Sequence, residues 1–126
     1  MESSDRDQLT GSVIGAAIEV HKALGPGLLE NANIYCMKQE LSLRRLAFRS
    51  EVDLPIEYKG VKLATSYRMD MVVEDSLVVE YKSVANMDKL HQAQLMTYLR
   101  LSGIRKGLLI NFCVPLLKEG LIRVVM

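Results

Sequence analysis

Apolar side chains at Leu9, Val13, Ala17, Val20 and Leu24 recur every three or four positions. The spacing predicts an amphipathic helix over about 9–24, with Ala16 on its flank and Thr10 as a cap near its start. The polar stretch before it, about residues 1–8, reads as a leader. Gly25-Pro26-Gly27 ends the helix, because glycine tolerates the left-handed backbone of a helix terminus and proline disfavours helical geometry in the residue before it. A second helix is predicted over about 28–46, finishing in Arg44 and Arg45, which suit the negative end of a helix dipole.

The period then changes to two. Val52, Leu54 and Ile56 alternate within a strand over about 48–58, where Pro55 argues for an edge position or an interruption. After the turn signal Lys59-Gly60, alternation from Val61 through Leu63, Thr65, Tyr67, Met69 and Met71 to Val73 predicts one long half-buried strand. Glu74-Asp75-Ser76 breaks it. A valine-rich strand over about 77–84 is apolar on both faces, as a sheet centre requires. A helix over about 88–102 ends at Gly103, and strands over about 107–113 and 121–125 complete the chain. The order is ααβββαβ(β), an α/β domain over residues 9–126 with no internal repeat or linker.

Composition narrows the class. With 126 residues, 49% of them apolar, the chain can bury a single core and is too apolar to be disordered. No run approaches the roughly 20 apolar residues of a membrane span, and Met1–Asp7 lacks the pattern of a secretory signal, so the expected setting is cytoplasmic. Cys36 and Cys113 have no CxxC partner and are expected as reduced thiols. Sixteen basic residues against 15 acidic ones exclude a broad cationic coat for nucleic acid but leave room for a local phosphate-binding patch.

The candidate chemistry lies in the hairpin of the second and third strands. Period two puts Glu80 and Lys82 on one face of their strand and Val79 and Tyr81 on the other. Whether Asp70 joins them depends on register. A three-residue loop Glu74-Asp75-Ser76 pairs Val73 with Leu77 and sets Asp70 opposite Glu80; a two-residue turn would set it opposite Tyr81. Two-residue turns favour Asn-Gly or Gly-x, which Asp75-Ser76 is not, so the three-residue loop is preferred. Two neighbouring carboxylates then repel, a conflict a divalent cation relieves. The alternative is a structural Asp-Glu-Lys ladder on a solvated sheet face.

Two helices add polar groups. Glu30 falls between Met37 and Leu41 on a helical wheel and one turn from Ile34, an acid on an apolar face. Gln94 shares a stripe with Leu90 and Leu101, bordered by His91 and Tyr98. His21, at the edge of the first helix's apolar face, reads as structural, and Glu19 as solvent-exposed.

The runs Leu9-Thr10-Gly11, Ile14 to His21, Leu24 to Glu30, Tyr58-Lys59-Gly60-Val61, Tyr67-Arg68-Met69-Asp70, Val79-Glu80-Tyr81-Lys82, His91 to Leu99 and Leu108 to Phe112 together resemble the GxxExxY family of the PD-(D/E)XK nuclease superfamily. The naming motif fits at Gly27 and Glu30, but Asn33 stands at its tyrosine position and Tyr35 lies two residues further on.

The resemblance implies a restriction-endonuclease-like core, a mixed central sheet flanked by helices. It further implies metal-dependent hydrolysis of nucleic-acid phosphodiesters, DNA before RNA, with no small-molecule cofactor and with two copies pairing to span a duplex. By position, Asp70 and Glu80 would ligate Mg²⁺ or Mn²⁺ with the backbone carbonyl of Tyr81, Lys82 would position or deprotonate the attacking water, Glu30 would be the accessory acid, and Gln94 would orient the site. The competing expectation is a nuclease-like domain that binds nucleic acid or protein without cutting, since fold does not fix function.

Overall fold

The computed structural model describes residues 2–26 and 28–126. In chain order these form α1 (Glu2–Leu24), α2 (Glu30–Leu43), β1 (Phe48–Tyr58), β2 (Val61–Val73), β3 (Leu77–Lys82), α3 (Lys89–Ser102), β4 (Lys106–Asn111), a 3-10 turn (Leu117–Gly120) and β5 (Leu121–Val125). The strands make one sheet in the order β1-β2-β3-β4-β5. It is mixed: β3 and β4 run parallel, joined through α3, and the other neighbours are antiparallel.

Sequence and structure differ at several ends. α1 reaches back to Glu2, so the stretch expected as a leader is helical. Thr10 is no cap: it lies inside α1, buried, with no partner for its Oγ1 among the described residues. α1 does stop at Gly25, whose φ of 75° is left-handed and whose N–H donates to the His21 carbonyl at 2.8 Å. Gly27 lies outside the described residues. α2 is shorter than expected at both ends, and β3 stops at Lys82 instead of continuing to Val84. Pro55 sits on β1, an edge strand, just before a register shift between Pro55 and Glu57, as a residue without an N–H requires.

Two apolar clusters sandwich the sheet. Val13, Ala17 and Val20 of α1 and Met37 and Leu41 of α2 pack with Val79, Tyr81 and Ile110 on one side. Leu95, Tyr98 and Leu99 of α3 pack with Val78, Leu109 and Val124 on the other. Gly107 lets α3 sit close: a Cβ there would meet Leu95 Cδ1 at 2.9 Å. Asp88 caps α3 by accepting from the Leu90 N–H at 2.9 Å, while His91 Nδ1 accepts from the Asp88 N–H at 3.2 Å, a capping box that fixes the first turn of α3. Beyond residue 55 the β1–β2 hairpin carries no buried residue until Met69 and stands out from the sheet as a ribbon.

Candidate active site

The site begins where the sheet forks. The β2–β3 ladder pairs Val73 with Leu77, Val72 with Val78 and Met71 with Val79, the register of the three-residue loop, and it ends there, one row before Asp70 and Glu80. Glu74 and Asp75 both take left-handed backbones in that loop, at φ 52°. At the fork side chains replace the ladder. The Asp70 N–H donates to Glu80 Oε2 at 2.7 Å, and the Tyr81 N–H donates to Asp70 Oδ2 at 2.8 Å. Each carboxylate is thus tied to the other's strand.

The other side of β2 opens at the same row. Ser50 pairs with Met71 and Val52 with Met69, but Glu51, which falls opposite Asp70, is unpaired and left-handed at φ 51°. Both strands turn over here. Phe48, Met71 and Val73 belong to the α1/α2 side, whereas Val52, Leu54 and Met69 belong to the α3 side. The single alternating face expected for 61–73 therefore does not hold, because the half-turn at Asp70 exchanges the faces.

Burial and mutual repulsion govern the acids. Glu80 is only 5% exposed, and its carboxyl is pushed up to about 8, first by burial and then by the charge of Asp70, against the Asp70 N–H and Lys82. Asp70 is also raised by burial, opposed by the Tyr81 N–H and Lys82, with Glu51 adding to the rise. Glu30, the first residue of α2, is raised by burial, opposed by Lys82 and by His91 across the cleft, while Asp70 adds to the rise. Lys82 is the counter-charge common to all three. At neutral pH the Asp70–Glu80 pair keeps a proton that a cation could displace.

The supporting residues explain how Lys82 is held. Tyr81 points into the α1/α2 core, its hydroxyl donating to Met71 Sδ at 3.2 Å and its ring stacked on Phe112 at 6.2 Å between centroids. Its neighbours Glu80 and Lys82 are thereby committed to the opposite face. Where the β3–β4 ladder ends at Lys82 and Asn111, the Asn111 side chain continues it: Nδ2 donates to the Val84 carbonyl at 2.9 Å and Oδ1 accepts from the Val84 N–H at 3.1 Å. The Phe112 N–H donates to the Lys82 carbonyl at 3.0 Å.

Gln94 departs from its expected setting. Leu90 is 72% exposed, Leu101 is exposed and so is Gln94, so that stripe faces outward, and the buried face of α3 is Leu95, Tyr98 and Leu99. The helical wheel misleads here because Leu90 and Leu101 are apolar yet exposed. Gln94 still lies near enough to the Tyr98 hydroxyl to oppose the rise of its pKa. Tyr98, which the sequence marks only as a border of the Gln94 stripe, is 3% exposed; its hydroxyl is raised to about 12 by burial and by the nearby charges of Glu80 and Asp70, and its ring lies 5.6 Å from that of Tyr67. Its spacing seven residues after His91 was the available signal. Glu51 was missed as well, because it reads as an ordinary exposed strand residue.

Asn33 is 1% exposed and donates through Nδ2 to Ser83 Oγ at 2.9 Å, tying α2 to the segment after β3, so the position is a structural clasp. His21 is structural, with Nε2 at 2.8 Å from the Val114 carbonyl oxygen. Glu19 is exposed, beside Lys22. Both cysteines are free thiols.

Among the described residues no three His, Cys, Asp or Glu groups form a ready metal cage. The Asp70–Glu80 pair nonetheless fits a hard cation: Mg²⁺ is held by one or two carboxylates completed by water and phosphate oxygens, and a buried and a half-buried acid in conflict gain from a positive charge between them. No described helix is long and apolar enough to cross a membrane. Compared with known proteins, residues 7–124 match the family model described as the PD-(D/E)XK nuclease superfamily. No curated protein and no solved structure gives a significant match.

Proposed function

The chain belongs to the PD-(D/E)XK nuclease superfamily, and on that premise we propose that it is a metal-dependent nuclease hydrolysing phosphodiester bonds at the Asp70–Glu80 fork. The observation that carries the reading is the reciprocal tie of Asp70 and Glu80 through backbone amides, with Lys82 as the shared counter-charge. A structural ladder on a solvated face would not bury Glu80 or leave it protonated at neutral pH.

In this reading Asp70, Glu80 and the Tyr81 backbone carbonyl would hold Mg²⁺ or Mn²⁺, which would supply Lewis-acid charge at the scissile phosphate. Lys82, on the strand end clamped by Phe112 and Asn111, would position the attacking water through its ammonium, or deprotonate it once it has itself lost its proton, and would offset charge on the phosphate. Glu30 acts from the start of α2 as an accessory acid, raised by burial with Lys82 opposing the rise. Gln94 would orient the site from α3, near the Tyr98 hydroxyl. The nearer family assignment, GxxExxY, belongs to the proposal too, with Asn33 in place of the motif tyrosine.

The retention of Asp70, Glu80 and Lys82 in one electrostatic cluster favours an enzyme over a silent binding module. The test is cleavage of plasmid, linear and single-stranded DNA and of RNA with Mg²⁺ or Mn²⁺, comparing wild type with Asp70→Ala and Lys82→Ala. Wild type should cut and both variants should lose at least about 100-fold in rate, as removal of a group that acts on the transition state does. Cleavage of none of these substrates, or equal cleavage by the variants, refutes the reading. The preference for DNA is read from the same panel. The pairing of two copies is read by sedimentation, and a cytoplasmic setting by cell fractionation.

A further inference from the structure

The cleft that Asp70 lines carries cations and an aromatic ring beside its acids. It has a volume of about 260 Å³ and is lined by Glu30, Tyr35 and Lys38 of α2 and by Glu51, Arg68 and Asp70 of the β1–β2 hairpin. Tyr35 is 70% exposed, an aromatic ring that the core does not use. The Lys38 ammonium lies 5.3 Å from its centroid and makes no ion pair among the described residues. Arg68 is paired with Asp53 at 3.4 Å, but both side chains are largely exposed, so the pair is weak and the guanidinium can be drawn to a phosphate. Asp70 of the acid pair, the further acids Glu30 and Glu51, two cations and an exposed aromatic ring thus line one groove.

That combination discriminates between forms of nucleic acid. Cations follow the backbone of either a single strand or a duplex, but an exposed ring gains from stacking only on a base whose face is free, and in a duplex both faces are covered by neighbours. The cleft's volume is below that of a typical pocket for a drug-sized ligand, which suits one nucleotide of strand and not the width of a helix. We propose that Tyr35, Lys38 and Arg68 form a single-strand subsite that stacks one unpaired base and holds the phosphates next to the scissile linkage. This rests on the nuclease reading and narrows its substrate to single-stranded or locally unpaired nucleic acid.

The test is fluorescence anisotropy of labelled single-stranded DNA and RNA oligonucleotides and of a hairpin duplex of equal length, in EDTA at low salt so that nothing is cut. At least one single strand should bind at least about 10-fold more tightly than the duplex. Tyr35→Ala should weaken single-strand binding by between about 5- and 100-fold, while Tyr35→Phe, which keeps the ring, should bind like wild type. Lys38→Ala and Arg68→Ala should each lower the salt dependence by about one phosphate contact. Circular dichroism checks that these exposed positions leave the fold intact. Duplex binding as tight as single-strand binding, no binding of either strand type, or a Tyr35→Ala variant with wild-type affinity would overturn the proposal. The two readings fail separately: binding through Tyr35 without metal-dependent cleavage refutes only the nuclease, and cleavage with indifferent Tyr35 refutes only the subsite.

Discussion

Replacing Glu80 with glutamine should stabilise the metal-free protein, and more so as the pH rises. In the folded chain the Glu80 carboxyl titrates at about 8, against an ordinary value of 4.5. Between those values the folded state holds a proton that the unfolded chain has released, so stability is fully present below pH 4.5 and falls as pH rises through 8. Over the whole window the loss amounts to as much as about 5 kcal/mol, a third or more of the net stability of an ordinary domain. Glu80 is almost fully buried, so solvent screening does little to reduce it. Glutamine keeps an oxygen to accept the Asp70 N–H and removes the charge. Asp70 and Glu30 are raised in the same direction, so the variant should retain a shallower slope. Urea denaturation in EDTA at pH 5, 6, 7 and 8 measures both. The reasoning fails if wild-type stability is flat or rises across that range, or if Glu80→Gln falls as steeply.

Millimolar Mg²⁺ should stabilise wild type more at pH 8 than at pH 5, where protons compete for the same carboxylates, by about 3 kcal/mol at a hundredfold excess over the dissociation constant; thermal melts with and without metal read it. Asn33→Ala removes the clasp to Ser83 and should lower stability by about 1–3 kcal/mol in denaturant titrations, without altering the pH slope that belongs to Glu80. Gly120→Ala should destabilise by at least about 1–3 kcal/mol, because its Cβ would overlap the Asn111 backbone carbonyl oxygen, and the displaced Asn111 should loosen the clamp at the end of β3, seen as faster amide exchange at Val84.

The fold was legible wherever one period dominated a segment. The valine-rich β3, the edge position of β1 with its proline, and the loop Glu74-Asp75-Ser76 all follow from local rules, and the loop alone was enough to set Asp70 opposite Glu80. What stayed hidden depends on tertiary geometry. The exchange of faces at Asp70 arises from a row left unpaired on both sides, with Glu51 in a left-handed backbone, and no sequence period reports such a half-turn. Gln94 was placed on the wrong face of α3 because Leu90 and Leu101 are apolar yet exposed, while the groups that matter, Tyr98 and Asn111, look like ordinary members of a helix and a strand. Their roles come from partners far away in the chain.

The central claim is that the Asp70–Glu80 fork is a divalent-cation site. Calorimetric titration of Mn²⁺ into wild type and into Asp70→Asn at pH 8 tests it directly. Wild type should bind one ion per chain with release of protons, since the pair keeps a proton that the cation must displace, and Asp70→Asn should lose that site. Equal binding by both proteins, or no binding by wild type, would contradict the account.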